Sequence, residues 1–238
     1  MVLKRNHVFY FVLFIFFVAG GLTTIVQAQQ SPYTGSPYTF PGKVQAENYD
    51  NGGQFVAYYD STPNNVCNPP RYRFEDVDIQ LCYDTGGGYN VGYITSGEWL
   101  EYTVRFTRSG YYDLNFRVAG PGGVFSLKQG STTLGGSREF FSTYGSQNWK
   151  TITIPYVYIS SGTKTLRFYV NTGGFNLNWF SCYLSTQSPY QGRVYNLYSD
   201  IEAEDFNNGY NRSAYYDTTS TNICYYAAYR TNTGVDVE

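Results

Sequence analysis

The stretch that decides the fold is residues 100–118, LEYTVRFTRSGYYDLNFRV, in which apolar and polar residues alternate on both sides of a Ser-Gly turn. This period of two is typical of β-strands that have one buried face and one solvated face. The same alternation recurs over residues 165–170, and glycine-rich turns such as 86–88 and 173–174 separate the stretches. No long stretch has the 3.6-residue period of an amphipathic helix. We therefore predict an all-β chain, folded as a sandwich or a barrel.

The composition excludes several classes of function. The chain has 238 residues, a formal net charge of −2 and a single histidine, His7, in a segment that we expect to be removed. A mature chain without histidine cannot build a Ser-His-Asp or Cys-His centre, or a histidine-ligated zinc site. The nearly neutral charge provides no basic surface of the kind that binds nucleic acid. The composition does not exclude three classes of function: acid–base catalysis by carboxylates, sites with oxygen-ligated metals, and binding without catalysis.

Residues 1–28 have the three parts of an export signal. Two basic residues precede an apolar run over residues 8–20, and a small-x-small cleavage site ends at Ala28. The alternative is a membrane anchor, because residues 8–26 are long enough to span a bilayer, although glycines and threonines interrupt them. We expect cleavage after Ala28, a secreted or cell-surface protein, and no membrane contact after cleavage.

Part of the sequence is repeated at an offset of 157 residues. The tetrapeptide Ala57-Tyr-Tyr-Asp60 recurs as Ala214-Tyr-Tyr-Asp217, and several other pairs share the offset. A repeat at one fixed offset is the signature of duplicated structural units. The predicted division of the chain is a signal peptide (1–28), a linker (29–40), a complete β-sandwich module (41–186) and the truncated start of a second similar module (187–238).

The cysteines predict one disulfide. Cys67 and Cys82 lie 15 residues apart in a connection rich in Pro and Asn, and disulfides persist in exported proteins. We expect these two residues to pair, because a bridge that closes a loop of this size contributes about 3 kcal/mol to stability. Cys182 lies in a strand pattern, so we expect a buried free thiol there.

Five strings of the sequence, taken together and in this order, resemble carbohydrate-binding module family 6. They are VQAENYDNGG (44–53), VAYYD (56–60), DTGGGYNVGYI (84–94), GEWLEY (97–102) and GFNLNWF (174–180). The resemblance implies a β-sandwich jelly roll, here followed by an incomplete second copy. It also implies that the module binds glycans without cleaving them.

The resemblance further implies a sugar site in the loops at one end of the sandwich, where aromatic rings hold a sugar and an Asn binds its hydroxyls. Carried over to this sequence, Tyr93 is the stacking ring and Asn176 the hydroxyl-binding amide. Asp60 and Tyr72 are expected to line the same cleft. The structural alternatives are that Tyr93 is a packed residue at a strand end and that Asn176 forms a turn after a glycine pair.

The second stacking ring is not evident. Ser146 stands where the family often has a Trp, and we take Tyr144 as the candidate replacement. Some family members also bind sugar on a sheet face. Trp99 alternates with the expected core residue Leu100 and is our candidate for such a site, the alternative being that it packs beneath a loop.

The family also has a structural calcium ion near its N-terminal strand. The residues at the matching positions are Glu47, Gln45, where the family commonly has Glu, and Asn178, where Asp is frequent. We therefore expect calcium as a cofactor, bound with reduced affinity because fewer of its ligands are charged.

Three functions stay open at this stage. The first is non-catalytic binding of a polysaccharide or oligosaccharide, such as xylan, β-glucan or an agar-type galactan, which targets a larger enzyme or adhesin to the glycan. The second is a glycosidase with paired carboxylates, for which Asp76/Asp78 and Glu98/Glu101 are the nearest pairs, although solvated strand and turn residues explain them more simply. The third is a structural or adhesive surface repeat with a decayed cleft, which Ser146 favours.

Overall fold

The structure is a computed structural model that describes residues 29–67, 72–186, 190–192, 201–209, 214–217 and 235. The predicted signal peptide, and most of the predicted second module, lie outside these residues. No α-helix occurs in the described part of the chain, and none of its helical segments has the length and apolar character needed to cross a membrane.

Thirteen strands and three 3-10 turns make up the described part of the chain. The strands are β1 (Tyr38–Phe40), β2 (Gly42–Gln45), β3 (Tyr58–Tyr59), β4 (Ile79–Leu81), β5 (Tyr89–Val91), β6 (Trp99–Phe106), β7 (Gly110–Ala119), β8 (Gly122–Gln129), β9 (Thr132–Thr133), β10 (Arg138–Phe141), β11 (Lys150–Ile159), β12 (Gly162–Thr172) and β13 (Asn176–Leu184). The 3-10 turns are Ala46–Asn48, Tyr190–Gly192 and Ala203–Asp205.

The strands form two sheets. Sheet 1 has the order β1-β6-β12-β8-β10, with β3 beside β6 and β9 beside β8. Sheet 2 has the order β11-β7-β13-β5-β4, with β2 beside β13. The long strands β6, β7 and β8 alternate between the sheets, as do β10 to β13, so most connections cross from one sheet to the other. This is the predicted β-sandwich jelly roll, and the predicted fold class is confirmed.

An aromatic core joins the two sheets. Phe116 on sheet 2 is fully buried, and its ring centroid lies 4.7 Å from that of Phe125 and 5.8 Å from that of Phe168, both on sheet 1. It also contacts Phe180 on its own sheet at 6.2 Å. The predicted alternation is confirmed, because residues 100, 102, 104 and 106 and residues 112, 114, 116 and 118 are buried.

The predicted disulfide is not formed: Cys67 and Cys82 are free thiols in the structure. The backbone N–H of Val66 donates to Oδ1 of Asp78 at 2.6 Å, which fixes the segment before Cys67 beside Asp78. Strand β4 (Ile79–Leu81) lies between Asp78 and Cys82, so the segment before Cys67 is anchored at the opposite end of this strand from Cys82. A disulfide needs Cα atoms about 4.4–6.8 Å apart. The expectation for Cys182 is confirmed, because it is a buried free thiol.

Part of the C-terminal segment has the local geometry of the first unit. A 3-10 turn directly precedes Tyr49 and, 157 residues later, Phe206. The rings of Tyr49 and Tyr58 lie 5.4 Å apart at 69°, and those of Phe206 and Tyr215, at the same offset, lie 5.2 Å apart at 64°. The repeat thus includes a ring contact as well as a sequence. A second module as a folded unit stays a prediction.

Phe116→Ala is expected to lower the free energy of unfolding by about 3–5 kcal/mol, because it leaves a cavity between the sheets. Urea unfolding of the full chain, followed by tryptophan fluorescence, measures the loss. Tyr183→Ala, at an exposed position of β13, is the control and should change stability by less than about 0.5 kcal/mol. Equal losses in the two variants would contradict a core centred on Phe116.

Candidate functional site

An open cleft of about 590 Å³ lies at one end of the sandwich. We call it the loop cleft, because the loop between β5 and β6 and the loop between β12 and β13 form much of its wall. Its lining residues are Gln80, Tyr93, Ile94, Thr95, Ser96, Ser146, Gly173, Gly174 and Asn176. The structure thus brings two of the predicted sugar-binding residues, Tyr93 and Asn176, into one cleft.

Tyr93 presents its ring to solvent. The side chain is 62% exposed, and its backbone has φ of +50°, a left-handed conformation that bulky residues rarely adopt. The preceding residue, Gly92, donates its N–H to the backbone oxygen of Asp78 at 2.8 Å, which holds the chain at this point. Tyr93 is therefore not the packed strand-end residue of the structural alternative.

Asn176 is buried at the base of the cleft, and its two amide atoms have different roles. Its Nδ2 donates to the backbone oxygen of Ser146 at 2.6 Å, which ties the loop between β10 and β11 to β13. Its Oδ1 lies beside Gly92, where an added Cβ would be 3.2 Å from Oδ1 and 2.6 Å from Nε2 of Gln80. Oδ1 has no protein donor among the described residues, so it is available to accept from a ligand.

Gln80 is a cleft residue that the sequence analysis missed. It lies in the short strand β4, and its amide and that of Asn176 approach each other over Gly92. The one sequence signal was Gly92 itself, because glycine is often placed where a neighbouring group approaches the backbone closely.

Glu98 fixes the wall of the cleft. This buried carboxylate accepts from the backbone N and Oγ1 of Thr95, at 2.8 and 2.7 Å, and from the backbone N and Oγ of Ser61, at 3.0 and 2.6 Å. The loop so anchored is joined to the facing loop, because Gly173 N donates to Ser96 Oγ at 3.0 Å. Glu98 is thus a structural anchor for the cleft.

The other candidate acids also have structural partners. Glu101 is ion-paired with Arg167 at 2.7 Å, Asp76 accepts from the backbone N of Asn64 at 2.9 Å, and Asp78 holds the segment before Cys67. Among the residues that the structure describes, no carboxylate lines the loop cleft. A glycosidase needs two carboxyl groups facing one sugar, and this cleft does not provide them.

Tyr72 and Asp60 lie outside the loop cleft. The hydroxyl of Tyr72 donates to Asn48 Oδ1 at 2.9 Å, and its ring packs against that of Tyr89 at 4.7 Å. Asp60 is buried, and its Oδ1 accepts from the backbone N and Oγ1 of Thr62 at 2.9 and 2.8 Å. Both residues are held by local packing and hydrogen bonds.

Trp99 and Tyr144 are also apart from the loop cleft. Trp99 is half-buried on sheet 1, and the guanidinium of Arg167 lies 3.8 Å from the centre of its ring, so one ring face is covered. Tyr144 is 91% exposed and lines a different cleft, on the other side of the loop over residues 142–149.

Three buried oxygens match the expected calcium ligands. Oε1 of Gln45, Oε2 of Glu47 and Oδ1 of Asn178 are buried and have no hydrogen-bond partner in the described structure. Gln45 pairs with Trp179, the neighbour of Asn178, and Glu47 lies in the 3-10 turn that follows β2. Burial raises the pKa of Glu47 to about 7. Oxygens left without a donor are costly when buried, and calcium binds six to eight oxygens, so these residues fit the ion.

The calcium site would depend on amide oxygens. Within the described residues, no group of three or more His, Cys, Asp or Glu side chains is placed to hold a metal ion. Glu47 is therefore the one carboxylate of the three matching ligands, which agrees with the expectation of a reduced affinity.

Comparison with known proteins identifies the family. The family described as carbohydrate binding module (family 6) matches residues 72–182, and the β-sandwich module of this chain belongs to it. This family consists of non-catalytic modules that bind carbohydrates. Its match confirms the resemblance inferred from the sequence strings.

A curated relative is the clotting factor G alpha subunit of Tachypleus tridentatus, which is 32% identical over 181 aligned residues. The alignment covers 68% of this chain, and the chain spans only 24% of the length of that relative.

Similar solved structures include isolated modules of the same family. The C-terminal module of the laminarinase LamC from Zobellia galactanivorans is 33% identical, with 60% of this chain and 98% of that chain covered and a TM-score of 0.46. The module CBM6cm-2 of Cellvibrio mixtus lichenase 5A, in complex with cellotriose, is 29% identical, with 61% and 98% covered and a TM-score of 0.47.

The stability of the cleft end of the module should depend on the ionisation of Asp78. Burial raises the pKa of Asp78 to about 6, from an ordinary value of 3.8. Because the folded-state pKa is the higher one, the stabilisation is complete below about pH 4 and is lost as the pH rises through 6. A difference of about two pKa units corresponds to about 3 kcal/mol.

Asp78→Asn keeps the acceptor for Val66 but removes this titration. Urea unfolding at pH 4 and pH 7 measures both proteins, and the variant should gain up to about 3 kcal/mol relative to the parent between these values. Glu47, whose pKa is also raised by burial, titrates in both proteins and cancels in the comparison. The charge of Asp60 contributes to the raised pKa of Asp78, so the measured change reports these two acids together. A difference that does not change with pH would show that Asp78 does not titrate in this range.

Proposed function

We propose that this chain binds a neutral polysaccharide or oligosaccharide in the loop cleft without cleaving it, and that it targets a larger protein to that glycan. One observation carries the proposal: the exposed ring of Tyr93 and the unpartnered amide oxygen of Asn176 lie in the same open cleft. Carbohydrate binding is the property of the family as a whole. The cleft, the polymer and the targeting role are our proposals for this chain.

The chemistry of the cleft suits a sugar ring. A pyranose has a face of C–H bonds, which an aromatic ring can cover, and a rim of hydroxyls that need donors and acceptors. Tyr93 offers the ring, and the amides of Gln80 and Asn176 lie with the hydroxyls of Thr95 and Ser96 around it. Apolar walls with a few placed polar groups are the general pattern of small-ligand sites.

The lack of charge in the cleft lining limits the class of glycan that it can bind. In the part of the chain that the structure describes, the residues that line the loop cleft are all uncharged. A cleft for an acidic sugar would be expected to present Arg or Lys to the carboxylate or sulfate. We therefore favour neutral polymers, among them xylan, β-glucan and agar-type galactan. An extracellular location, with residues 1–28 as the export signal, accords with polymers of this kind.

A second candidate function is a structural or adhesive surface repeat. The observation in its favour is that, of the described residues that line the loop cleft, Tyr93 alone is aromatic, with the small residue Ser146 on the facing loop. One ring gives a weak site. A second module over residues 187–238 would compensate through avidity if it also binds glycan.

We also propose that calcium binds at Gln45, Glu47 and Asn178. The ion would satisfy three buried oxygens and would keep Glu47 ionised at neutral pH. When bound, it would supply structural stability by joining the turn after β2 to β13.

The binding proposal predicts that Tyr93→Ala loses glycan affinity while the fold stays intact. Affinity electrophoresis of the full chain in gels that contain xylan, laminarin, barley β-glucan, agarose or hydroxyethylcellulose identifies the polymer that retards it. Loss of the ring should weaken binding at least tenfold, which corresponds to about 1.4 kcal/mol. Tyr183→Ala, which removes an exposed ring away from the cleft, should bind like the parent.

Two results would oppose the binding proposal. A folded parent protein that no polymer retards would favour the structural repeat. Full binding by Tyr93→Ala would place the site outside the loop cleft.

The calcium proposal predicts that millimolar calcium, added after treatment with EDTA, raises the Tm of the full chain by about 5 °C or more. A ligand at a hundred times its Kd stabilises a protein by about 2.7 kcal/mol, and a domain of this size gains a few degrees per kcal/mol. Glu47→Gln is nearly isosteric and should show no shift in differential scanning fluorimetry. The same shift in both proteins would mean that calcium binds elsewhere.

A further inference from the structure

A second open cleft, of about 600 Å³, lies on the other side of the loop over residues 142–149. We call it the side cleft, and Tyr83, Tyr144 and Trp149 are its aromatic lining residues. Ser146 lines the loop cleft, while its neighbour Gln147 lines the side cleft. A single segment of backbone therefore separates the two clefts.

Two aromatic rings of the side cleft are exposed to solvent, where a ligand can contact them. Tyr144 is 91% exposed and Tyr83 is 76% exposed, and neither ring contacts another ring in the part of the chain that the structure describes. Because both rings line one cleft, they offer apolar faces to a ligand in a concave site. Tyr144 also has a left-handed backbone, with φ of +63°, as Tyr93 does in the loop cleft. Such strain in bulky residues clusters at ligand sites.

The side cleft is held in shape by Gln147. Its Oε1 accepts from the backbone N of Tyr83 at 3.0 Å and from Nε1 of Trp149 at 3.2 Å. Its Nε2 donates to the backbone oxygen of Leu81 and to Oδ1 of Asn90, both at 3.2 Å. One side chain thus joins two of the three aromatic residues to strands β4 and β5. A site formed in advance loses little conformational entropy when it binds.

Tyr144 is held by its own loop. Its backbone N donates to Ser142 Oγ at 3.0 Å, and its backbone oxygen accepts from Asn148 Nδ2 at 3.0 Å. The loop is in turn attached to the sandwich, because Thr143 N donates to the backbone oxygen of Gly120 at 2.8 Å. The exposed ring therefore projects from a fixed backbone.

We propose that the side cleft is a second subsite for the same glycan chain, and that the chain crosses the loop at Gly145 and Ser146 to reach it. This inference rests on the proposed function. The crossing point consists of two exposed, small residues, which leave room for a polymer above the backbone. Tyr83 and Tyr144 offer faces for sugar C–H bonds, and Asn148 and Lys150 offer donors for hydroxyls. A disaccharide would occupy the loop cleft, and a hexasaccharide would occupy both clefts.

The test compares a disaccharide with a hexasaccharide by isothermal titration calorimetry on the full chain. The probes are xylobiose and xylohexaose, laminaribiose and laminarihexaose, and cellobiose and cellohexaose. The parent should bind one hexasaccharide at least tenfold more tightly than its disaccharide. Tyr83→Ala and Tyr144→Ala should each lose at least fivefold for that hexasaccharide and nothing for the disaccharide. Tyr93→Ala should weaken both, and Tyr183→Ala should weaken neither.

The disaccharide is the internal reference for Tyr83→Ala and Tyr144→Ala, because it would occupy the loop cleft alone. Unchanged affinity for the disaccharide reports that a variant is folded.

The outcomes separate this inference from the proposed function. Hexasaccharide binding that Tyr83→Ala and Tyr144→Ala both leave unchanged overturns the second subsite and leaves the loop cleft in place. A folded parent that binds none of the six probes, and that no polymer in the gels retards, overturns the proposed function and the second subsite with it. Where agarose alone retards the parent, neoagarobiose and neoagarohexaose are the probes.

Discussion

The contact of Phe116 with Phe125 and Phe168 is the interaction on which the rest of the molecule depends. It joins β7 of one sheet to β8 and β12 of the other, and so fixes the separation and alignment of the sheets. The loops that form the clefts all leave strands of these sheets. Because the loops are short and tied to each other by Glu98, Asn176 and Gln147, the positions of the sheets determine the positions of the rings that face solvent.

Several acidic side chains of this module accept hydrogen bonds from backbone N–H groups. Glu98 accepts from the N–H groups of Ser61 and Thr95, and Asp50 accepts from that of Thr103 at 2.9 Å. The half-buried Asp113 accepts from the N–H of Tyr156, at the bulge in β11, at 3.1 Å. An N–H group in a loop, beside a bulge or at a gap between neighbouring strands has no ladder partner, and a carboxylate can satisfy it. Glu98 in this way supports the wall of the loop cleft, whereas Asp50 and Asp113 act on strands β6 and β11.

The sequence was sufficient for the fold and for part of the site. Alternation over residues 100–118 identified two central strands, because apolar and polar residues that alternate with a period of two are typical of a strand with one buried face. The pairing of Tyr93 with Asn176 came from the family resemblance and not from spacing, since the two residues are 83 positions apart. Cys67 and Cys82 could not be placed from the sequence, because a hydrogen bond from Val66 to Asp78 sets the path of their loop. Long-range polar contacts of this kind leave no periodic signal.

The left-handed backbone at Tyr93 and Tyr144 has an evolutionary consequence. Glycine or asparagine would adopt the same conformation with less strain, so a stability screen that ignored ligand binding would select for the loss of both rings. Their rings are mostly exposed, so burial of these side chains does little to offset the backbone cost. In a copy of the module that is no longer selected for ligand binding, these two positions should be substituted before the core residues are. A related sequence that keeps one of these tyrosines is therefore expected to be under selection for binding at the corresponding cleft.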